Sequence, residues 1–367
     1  MQSPFVATRE DALRRLEEFL PRAGTLYARD RNTDRGPADR SNVSLLSPYL
    51  RHRLIGEDEV VRAVLRRHHI GGAAKFVEEI CWRTYWKGWL EQRPAVWQQY
   101  LDTLARDQAV LAEDGGMARR YEAAVTGRTG MACFDAWAGE LTTQGYLHNH
   151  ARMWFASIWI FTLNLPWALG ADHFYRHLID GDPASNTLSW RWVAGLHTEG
   201  KPYVARAANI AEFTGGRFNP EGQLNESPEP LSGEVAPAPT RLRPLLSVPP
   251  GANIVLLLGE DDLSPERWPV DPHNVRGVAS LPAVTGYGGL SDAVLAFRNG
   301  AIRILQVEGT DSRNPGAIGA HVKLSCGLTP PRRARAPIAA PHPQAAPQAA
   351  ASGSPAPAAR SAPAAPA

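Results

Sequence analysis

Apolar residues recur at helical spacing through the first two hundred positions. Leu13, Leu16, Phe19 and Leu20 follow Thr8 and Asp11, a pair with the form of a capping box, so a helix is expected to start just after Thr8. Similar patterning predicts helices around Glu57–His68, Ala74–Leu90, Pro94–Arg106, Met117–Thr126, Cys133–Thr143, His148–Thr162, His173–Leu178, Pro183–Ala194 and Pro202–Thr214. The expected fold class is mainly α, with one helical domain over residues 1–225. The texture then changes. "ESPEPLSGEVAPAPTRLRPLLSVPP" is rich in proline and lacks periodic apolar positions, which marks a linker over 226–250. "NIVLLLG" (253–259) is an apolar run suited to a buried strand, "VRGVASL" and "AIRILQV" read as two more, and Ser291–Arg298 as a short helix. Residues 251–328 are expected to form a small α/β module of unknown role. The Ala/Pro-rich stretch 329–367 is expected to be a disordered tail, because it has too little apolar surface to bury.

Composition narrows the partners. A net charge of +2 with 21% charged residues gives no global basic excess, so a nucleic-acid partner must be met by a local patch. Cys81, Cys133 and Cys326 are too few and too scattered for a disulfide framework and form no CxxC pair, which fits a reduced, cytoplasmic protein without a bound metal. The N-terminal stretch lacks the basic and apolar regions of an export signal. The most apolar run, "WFASIWIFTLNL" (154–165), is shorter than the roughly 20 residues that span a bilayer. Ten of the eleven tryptophans precede residue 200, so the chemistry is expected in the helical part.

Two segments stand out there. In "LIDGDPASNTLSWRW" (178–192), Asp182 before Pro183 fits an N-cap with proline at the first helical position, and Gly195 is a natural stop. Asn186, Trp190 and Val193 then share a face, with Leu188 and Trp192 on another. A buried amide beside a tryptophan needs partners that a satisfied helix backbone does not offer, and a polar heteroaromatic ligand would supply them. In "GYLHNHARM" (145–153), His148, Asn149, His150 and Arg152 open the most apolar helix. Metal ligation by the two histidines is disfavoured, because two positions along a helix point about 200° apart. The polar start suits either an anion or plain solvent.

With "YARDRN" (27–32), "SLLSPYL" (44–50), "EEICWRTYW" (78–86), "TGMACFDA" (129–136) and the closing "GRFNP" (216–220), these segments occur in the order and approximate spacing of the FAD-binding helical domain of DNA photolyases and cryptochromes. The resemblance covers roughly residues 20–220, and six motifs in register, followed by the closing "GRFNP", make it specific. It implies a cofactor site in which Tyr27, Ser44, Leu46 and Ser47 wrap FAD and receive its phosphates. Arg83 and Arg152 are the implied flavin-side basic residues, Asp180 and Asp182 the hydrogen-bonding carboxylates, and Asn186 the residue facing flavin N5. It also implies a substrate face: Glu79, Trp82, Asn149, Met153 and Trp192 match the lining of the pocket that takes a flipped-out pyrimidine dimer, with Trp82 and Trp192 as apolar walls. Members acting on (6-4) products carry histidines at the positions of Asn149 and Met153, so a cyclobutane dimer is the implied lesion.

Departures from the family pattern are as informative. Val43 and Leu45 stand where a threonine and a polar or basic residue are usual, and His150 stands for an arginine near the DNA backbone, which weakens one phosphate contact at neutral pH. Trp190 and Trp167 match the first two members of the electron-transfer chain, but no tryptophan occurs between Trp97 and Trp137 to be the third. That leaves Tyr100, Tyr121, another surface aromatic or a different route of reduction. The chain starts almost directly at the helical part, so no antenna chromophore is implied, and "GYGGLSD" (286–292) is too weak to be a phosphate loop. The implied activity is that of a monomeric deoxyribodipyrimidine photo-lyase, a carbon–carbon lyase using reduced FAD and blue light on damaged DNA. The alternative is a cryptochrome-like light or redox sensor without repair, with Glu79, Asn186, Trp190 and Trp167 as the residues expected to carry the chemistry in the repair reading.

Overall fold

The computed structural model describes residues 4–234, 237–244, 249–280 and 289–309. All fall within one compact unit, Met1–Gly327. The tail from 329 and the first three residues of "GYGGLSD" lie outside the described residues.

Thirteen α-helices are described: α1 Arg9–Phe19, α2 Thr25–Asp30, α3 Ser47–Arg51, α4 Glu57–Leu65, α5 Ile70–Glu91, α6 Pro94–Glu113, α7 Gly115–Val125, α8 Ala132–Gln144, α9 Asn149–Ser157, α10 Trp167–His177, α11 Pro183–Val193, α12 Ala207–Phe213 and α13 Asp292–Gly309. Thr8 caps α1 by accepting from Asp11 N at 3.1 Å, as its capping pattern requires. Downstream of α9 the apolar run continues as one π turn, Ile158–Thr162, closed by Leu163 N donating to Ile158 O at 2.9 Å. Asn164 in the left-handed region (φ 49°) then ends it, and α10 begins three residues later, six before the patterned start at His173. No helix among the described residues is long and apolar enough to cross a membrane.

Two apolar cores flank the centre of the molecule. One gathers α6 to α12 around the stacked Trp137–Trp154 and Phe134–Phe155 pairs and includes Trp159, Trp167 and Trp190. The other gathers α1 to α5 with Tyr146, Ile179 and residues of α13. Helix α5 packs against both α2 and α11, and α11 against α9 and α10, so these helices meet where the cores adjoin. At closest approach, a Cβ on Gly170 would run into the Trp190 ring and come within 2.9 Å of Trp159, so only glycine lets α10 and α11 lie this near.

The part beyond 250 corrects one expectation. β1 (Ile254–Leu258) and β2 (Val275–Ser280) pair in parallel, Leu256 opposite Val278, but "AIRILQV" is no strand: it is the second half of α13. A short apolar run fits either period, and the tertiary fit decides. Val294, Phe297, Ala301 and Ile302 recur at helical spacing and bury in the second core, and Gly300 is tolerated mid-helix because a Cβ there would press on Ala7 at 3.2 Å. The proline-rich stretch is also bound down over part of its length. Leu231 packs on the aromatic core and its N donates to Ala194 O at 3.1 Å, and Thr240 N donates to Gln92 O at 2.7 Å.

Candidate functional site

Helix α11 starts where Asp182 and Pro183 put it. Asp182 Oδ1 accepts from Ser185 N at 2.9 Å, and Gly195 (φ 81°) ends the helix. Asp182 Oδ2 faces a cluster of cations: Lys87 at 3.4 Å, Arg83 at 3.6 Å and Arg51 at 3.9 Å. Burial pushes this carboxyl up, but Lys87, Arg83 and Arg51 prevail and hold it well below the usual carboxylate range. Two residues earlier, Asp180 accepts a fork from Arg152, with Nη1 at 3.0 Å and Nη2 at 2.8 Å, while Arg152 Nε donates to Leu147 O at 3.0 Å. Every nitrogen of that guanidinium thus has an anchor in the α8–α9 connection or the α10–α11 turn.

One turn into α11, Asn186 donates its amide to Ala171 O at 2.7 Å. The nitrogen of this amide is therefore satisfied by α10 without a ligand, and its carbonyl oxygen is the atom left to accept. Trp190, a turn further, is buried edge-on against Phe174 (5.0 Å) and Trp159 (6.2 Å). Trp167 is likewise buried; it lies 5.6 Å from Tyr100, and Tyr100 lies 5.3 Å from the half-buried Trp97. A second aromatic route leads from Trp190 through Trp159 to Tyr121, 5.7 Å away.

Helix α5 carries two adjacent stripes. Glu79, Arg83 and Lys87 follow one another at i+4 steps, spanning roughly 12 Å; Trp82, Tyr85, Trp86 and Trp89 line the next, with Trp82 stacked on Trp86 at 5.7 Å. Glu79 is tied to Arg31 of the α2–α3 connection at 2.6 Å; burial raises its carboxyl, against the pull of Arg31. Tyr27, one helical turn before Arg31, packs edge-on against Phe19 and Phe76. In the Ser44–Ser47 loop, Leu46 N lies 3.4 Å from the Ser44 hydroxyl, the Leu46 side chain is fully buried, and Leu45 sits in the left-handed region (φ 56°). A leucine there is strained, which marks a loop shaped by something other than local preference.

Of the expected substrate-face residues, Asn149 is exposed, and Trp82, Met153 and Trp192 are half-buried on three helices that meet at α11; Trp192 stacks on Tyr203 at 5.5 Å. His150 is not where a DNA contact needs it. It is buried, stacked on Trp154 at 4.1 Å, with Nδ1 on Asn32 O at 2.9 Å and Nε2 on the Tyr203 hydroxyl at 3.3 Å, and burial depresses it to about 4. An imidazole fits a closed aromatic slot where a longer guanidinium would reach out. His148 Nδ1 accepts from His150 N at 3.2 Å as the cap of α9, so it is spent on the fold, and no group of three metal-ligating side chains occurs among the described residues. Arg31, Arg51 and Lys87 escaped the sequence reading; their partners lie 48 to 210 residues away, and only the i+4 step from Arg83 to Lys87 hinted at one of them.

The residues fit an anionic, hydrogen-bonding cofactor. Arg83 Nε and the Ser185 hydroxyl are buried without a hydrogen-bond partner in the protein, and both belong to the Asp182 neighbourhood. Residues 76–226 match the family model described as the FAD binding domain of DNA photolyase. The chain is 35% identical over 194 residues to a deoxyribodipyrimidine photo-lyase of Streptomyces griseus, which covers 53% of this chain and 40% of that one. It is 34% identical over 215 residues to one of Thermus thermophilus, covering 58% and 48%. The chain thus spans less than half the length of these curated relatives. A bacterial class III photolyase structure from Agrobacterium tumefaciens superposes with a TM-score of 0.48 and 28% identity, over 57% of this chain and 43% of that one.

Proposed function

We propose that this protein, whose residues 76–226 carry a FAD-binding domain of the DNA photolyase type, holds FAD between α5 and the start of α11 and splits cyclobutane pyrimidine dimers in DNA under light. One observation carries the reading. The turn Asp180–Asn186 brings a forked carboxylate, a capping carboxylate among three cations and an amide with a spare oxygen into seven residues, and half-buried tryptophans occupy α5 and α11 beside it. Bound FAD in its reduced form would supply the photoexcited electron donor.

The chain's own residues bind, orient and keep water out. Arg152 orients Asp180 through its fork, and the cation cluster holds Asp182 ionised, so both acceptors are in position before any ligand arrives. Arg83, whose Nε faces Asp182 Oδ2 at 3.6 Å without a hydrogen bond, and the Ser44–Ser47 loop, through its hydroxyls, are the anion-receiving groups; Tyr27 closes that side. Asn186 offers its oxygen to an N–H donor. Glu79, oriented by Arg31, and Asn149 would hydrogen-bond the exocyclic groups of two linked pyrimidines, with Trp82, Met153 and Trp192 as walls. Trp190 and Trp167 are the electron relays, continued through Tyr100 and Trp97 or through Trp159 and Tyr121.

The buried, non-contacting His150 is the observation that favours the alternative, a light- or redox-sensing flavoprotein. Binding experiments separate the two. Full-length protein should copurify with, or take up, one FAD, and in the dark it should bind an oligonucleotide carrying one cyclobutane dimer at least about tenfold more tightly than the undamaged strand. Equal affinity for both strands in FAD-loaded protein points to the sensor and overturns repair; a colourless protein that takes up no FAD overturns both.

A further inference from the structure

The loop after β1, Glu260–Ser264, seats on the C-terminal end of α3. Its backbone is tied twice to one residue: Glu260 O lies 2.7 Å from His52 Nδ1, and Leu263 N donates to His52 O at 3.0 Å. Leu263, Val294 and Phe297 share a core with Tyr49 and Leu54, so this contact is part of the fold. Its charged side chains reach further. Asp262 meets Arg53 at 2.9 Å, and Glu260 meets Arg51 at 2.9 Å and Arg298 at 3.1 Å. Asp261 pairs with Arg51 and, at 2.8 Å, with Lys87 Nζ, the ammonium that also lies 3.4 Å from Asp182.

The charges complement one another. On the helical side Arg51, Arg53, Arg83 and Lys87 face two carboxylates, Asp182 and Glu57, leaving two positive charges in excess. Glu260, Asp261 and Asp262 with Arg298 bring two net negative charges, and the cluster balances. An unbalanced buried cation is costly, and Arg51 is 1% exposed, so the helical side depends on Glu260 and Asp261, whereas Arg53, 30% exposed, is screened by solvent without Asp262. Lys87 in particular is shared between two carboxylates. Asp261 holds it the closer of the two, which keeps Asp182 Oδ2 between Lys87 and Arg83 and its Oδ1 on Ser185 N.

We propose that the module beyond residue 250 completes the cofactor site, with Asp261 as a positioning residue that sets Lys87 and, through it, Asp182. This rests on the reading of Asp182 and Arg83 as flavin-side residues. The test uses full-length protein and three variants: Asp261→Asn, Asp261→Glu, and Asp262→Asn, which removes an ion pair from the same loop without touching Lys87. Affinity for FAD and the midpoint potential of the bound flavin are measured, with thermal melting alongside. Asp261→Asn should weaken FAD binding about tenfold or displace the potential. Asp261→Glu should restore both, and Asp262→Asn should leave both at wild-type values. An Asp261→Asn protein with wild-type affinity and potential overturns the proposal, as does an equal loss in Asp262→Asn, which would reduce the loop to a docking contact. Wild-type protein that binds no FAD overturns the reading beneath it and the proposal together, a result distinct from either.

Discussion

Replacing Asp182 by asparagine isolates the charge that holds the site together. Asparagine still caps α11 through its side-chain oxygen, so the substitution leaves the helix start and removes one anion from among Lys87, Arg83 and Arg51 at 3.4, 3.6 and 3.9 Å. A single pair at about 3.6 Å is worth about 4 to 5 kcal/mol at an effective dielectric near 20. Relief of the carboxylate's own desolvation and the presence of Asp261 offset part of three such terms, and breaking a buried pair from one side costs about 3 to 5 kcal/mol. Asp182 is 4% exposed, so solvent screening takes little away. We expect a loss of about 3 kcal/mol for Asp182→Asn and about 1 kcal/mol more for Asp182→Ala, which also loses the cap. Urea unfolding of FAD-free protein measures both. The pH dependence follows from the sign of the shift: the folded-state value is depressed, so the contribution is complete above the unfolded carboxyl value near 4 and fades only as pH falls below it towards the folded value. The gap between wild type and Asp182→Asn should be equal at pH 7 and pH 5. An asparagine variant within about 0.5 kcal/mol of wild type, or a gap that closes between those two pH values, refutes the reasoning.

Other substitutions probe other parts of the site. Gly170→Ala sets a methyl group into the Trp190 ring and should cost about 1 to 3 kcal/mol and alter the near-ultraviolet circular dichroism of the tryptophans; unchanged stability and spectrum would contradict the close packing of α10 on α11. His148, His150 and His197 are depressed to about 3, 4 and 4, each chiefly by burial, so the unfolded chain binds more protons below the ordinary value near 6.5. Stability should be full above that value and fall as pH drops through it, by up to about 2 kcal/mol per histidine at pH 5, which melting curves at pH 7.5 and 5 test. Arg31→Ala removes the cation that opposes the burial shift of Glu79, so the acid limb of dimer binding should move to higher pH; an unmoved limb separates Glu79 from lesion recognition.

The helix carrying the site was legible in the sequence because its signals are local: Asp182, Pro183 and Gly195 bound α11 within one residue of the expected range. The identity of the segments around it came from motifs, which name residues but not their partners. Arg31 stands inside one of the motifs, yet its pairing with Glu79 joins two segments 48 residues apart. Nothing near "GEDDLSP" announces that three consecutive acids answer an excess of cations on α3 and α5, and β1 before it, expected as a buried strand, is largely half-buried with Val255 exposed. "AIRILQV" failed for a physical reason as well, since seven mostly apolar residues satisfy a helix and a buried strand equally, and the arbiter was the burial of Val294, Phe297, Ala301 and Ile302 at helical spacing.

The α5–α11 region is proposed to bring a flavin against a lesion. The most direct test of that role is illumination of full-length, FAD-loaded and chemically reduced protein with DNA containing cyclobutane dimers, single- and double-stranded, counting dimers in light and in darkness. Dimers should disappear in blue light and persist in darkness, and Trp192→Ala should slow their loss while FAD stays bound. Protein with bound, reduced FAD that leaves the dimers intact on both substrates would contradict that role.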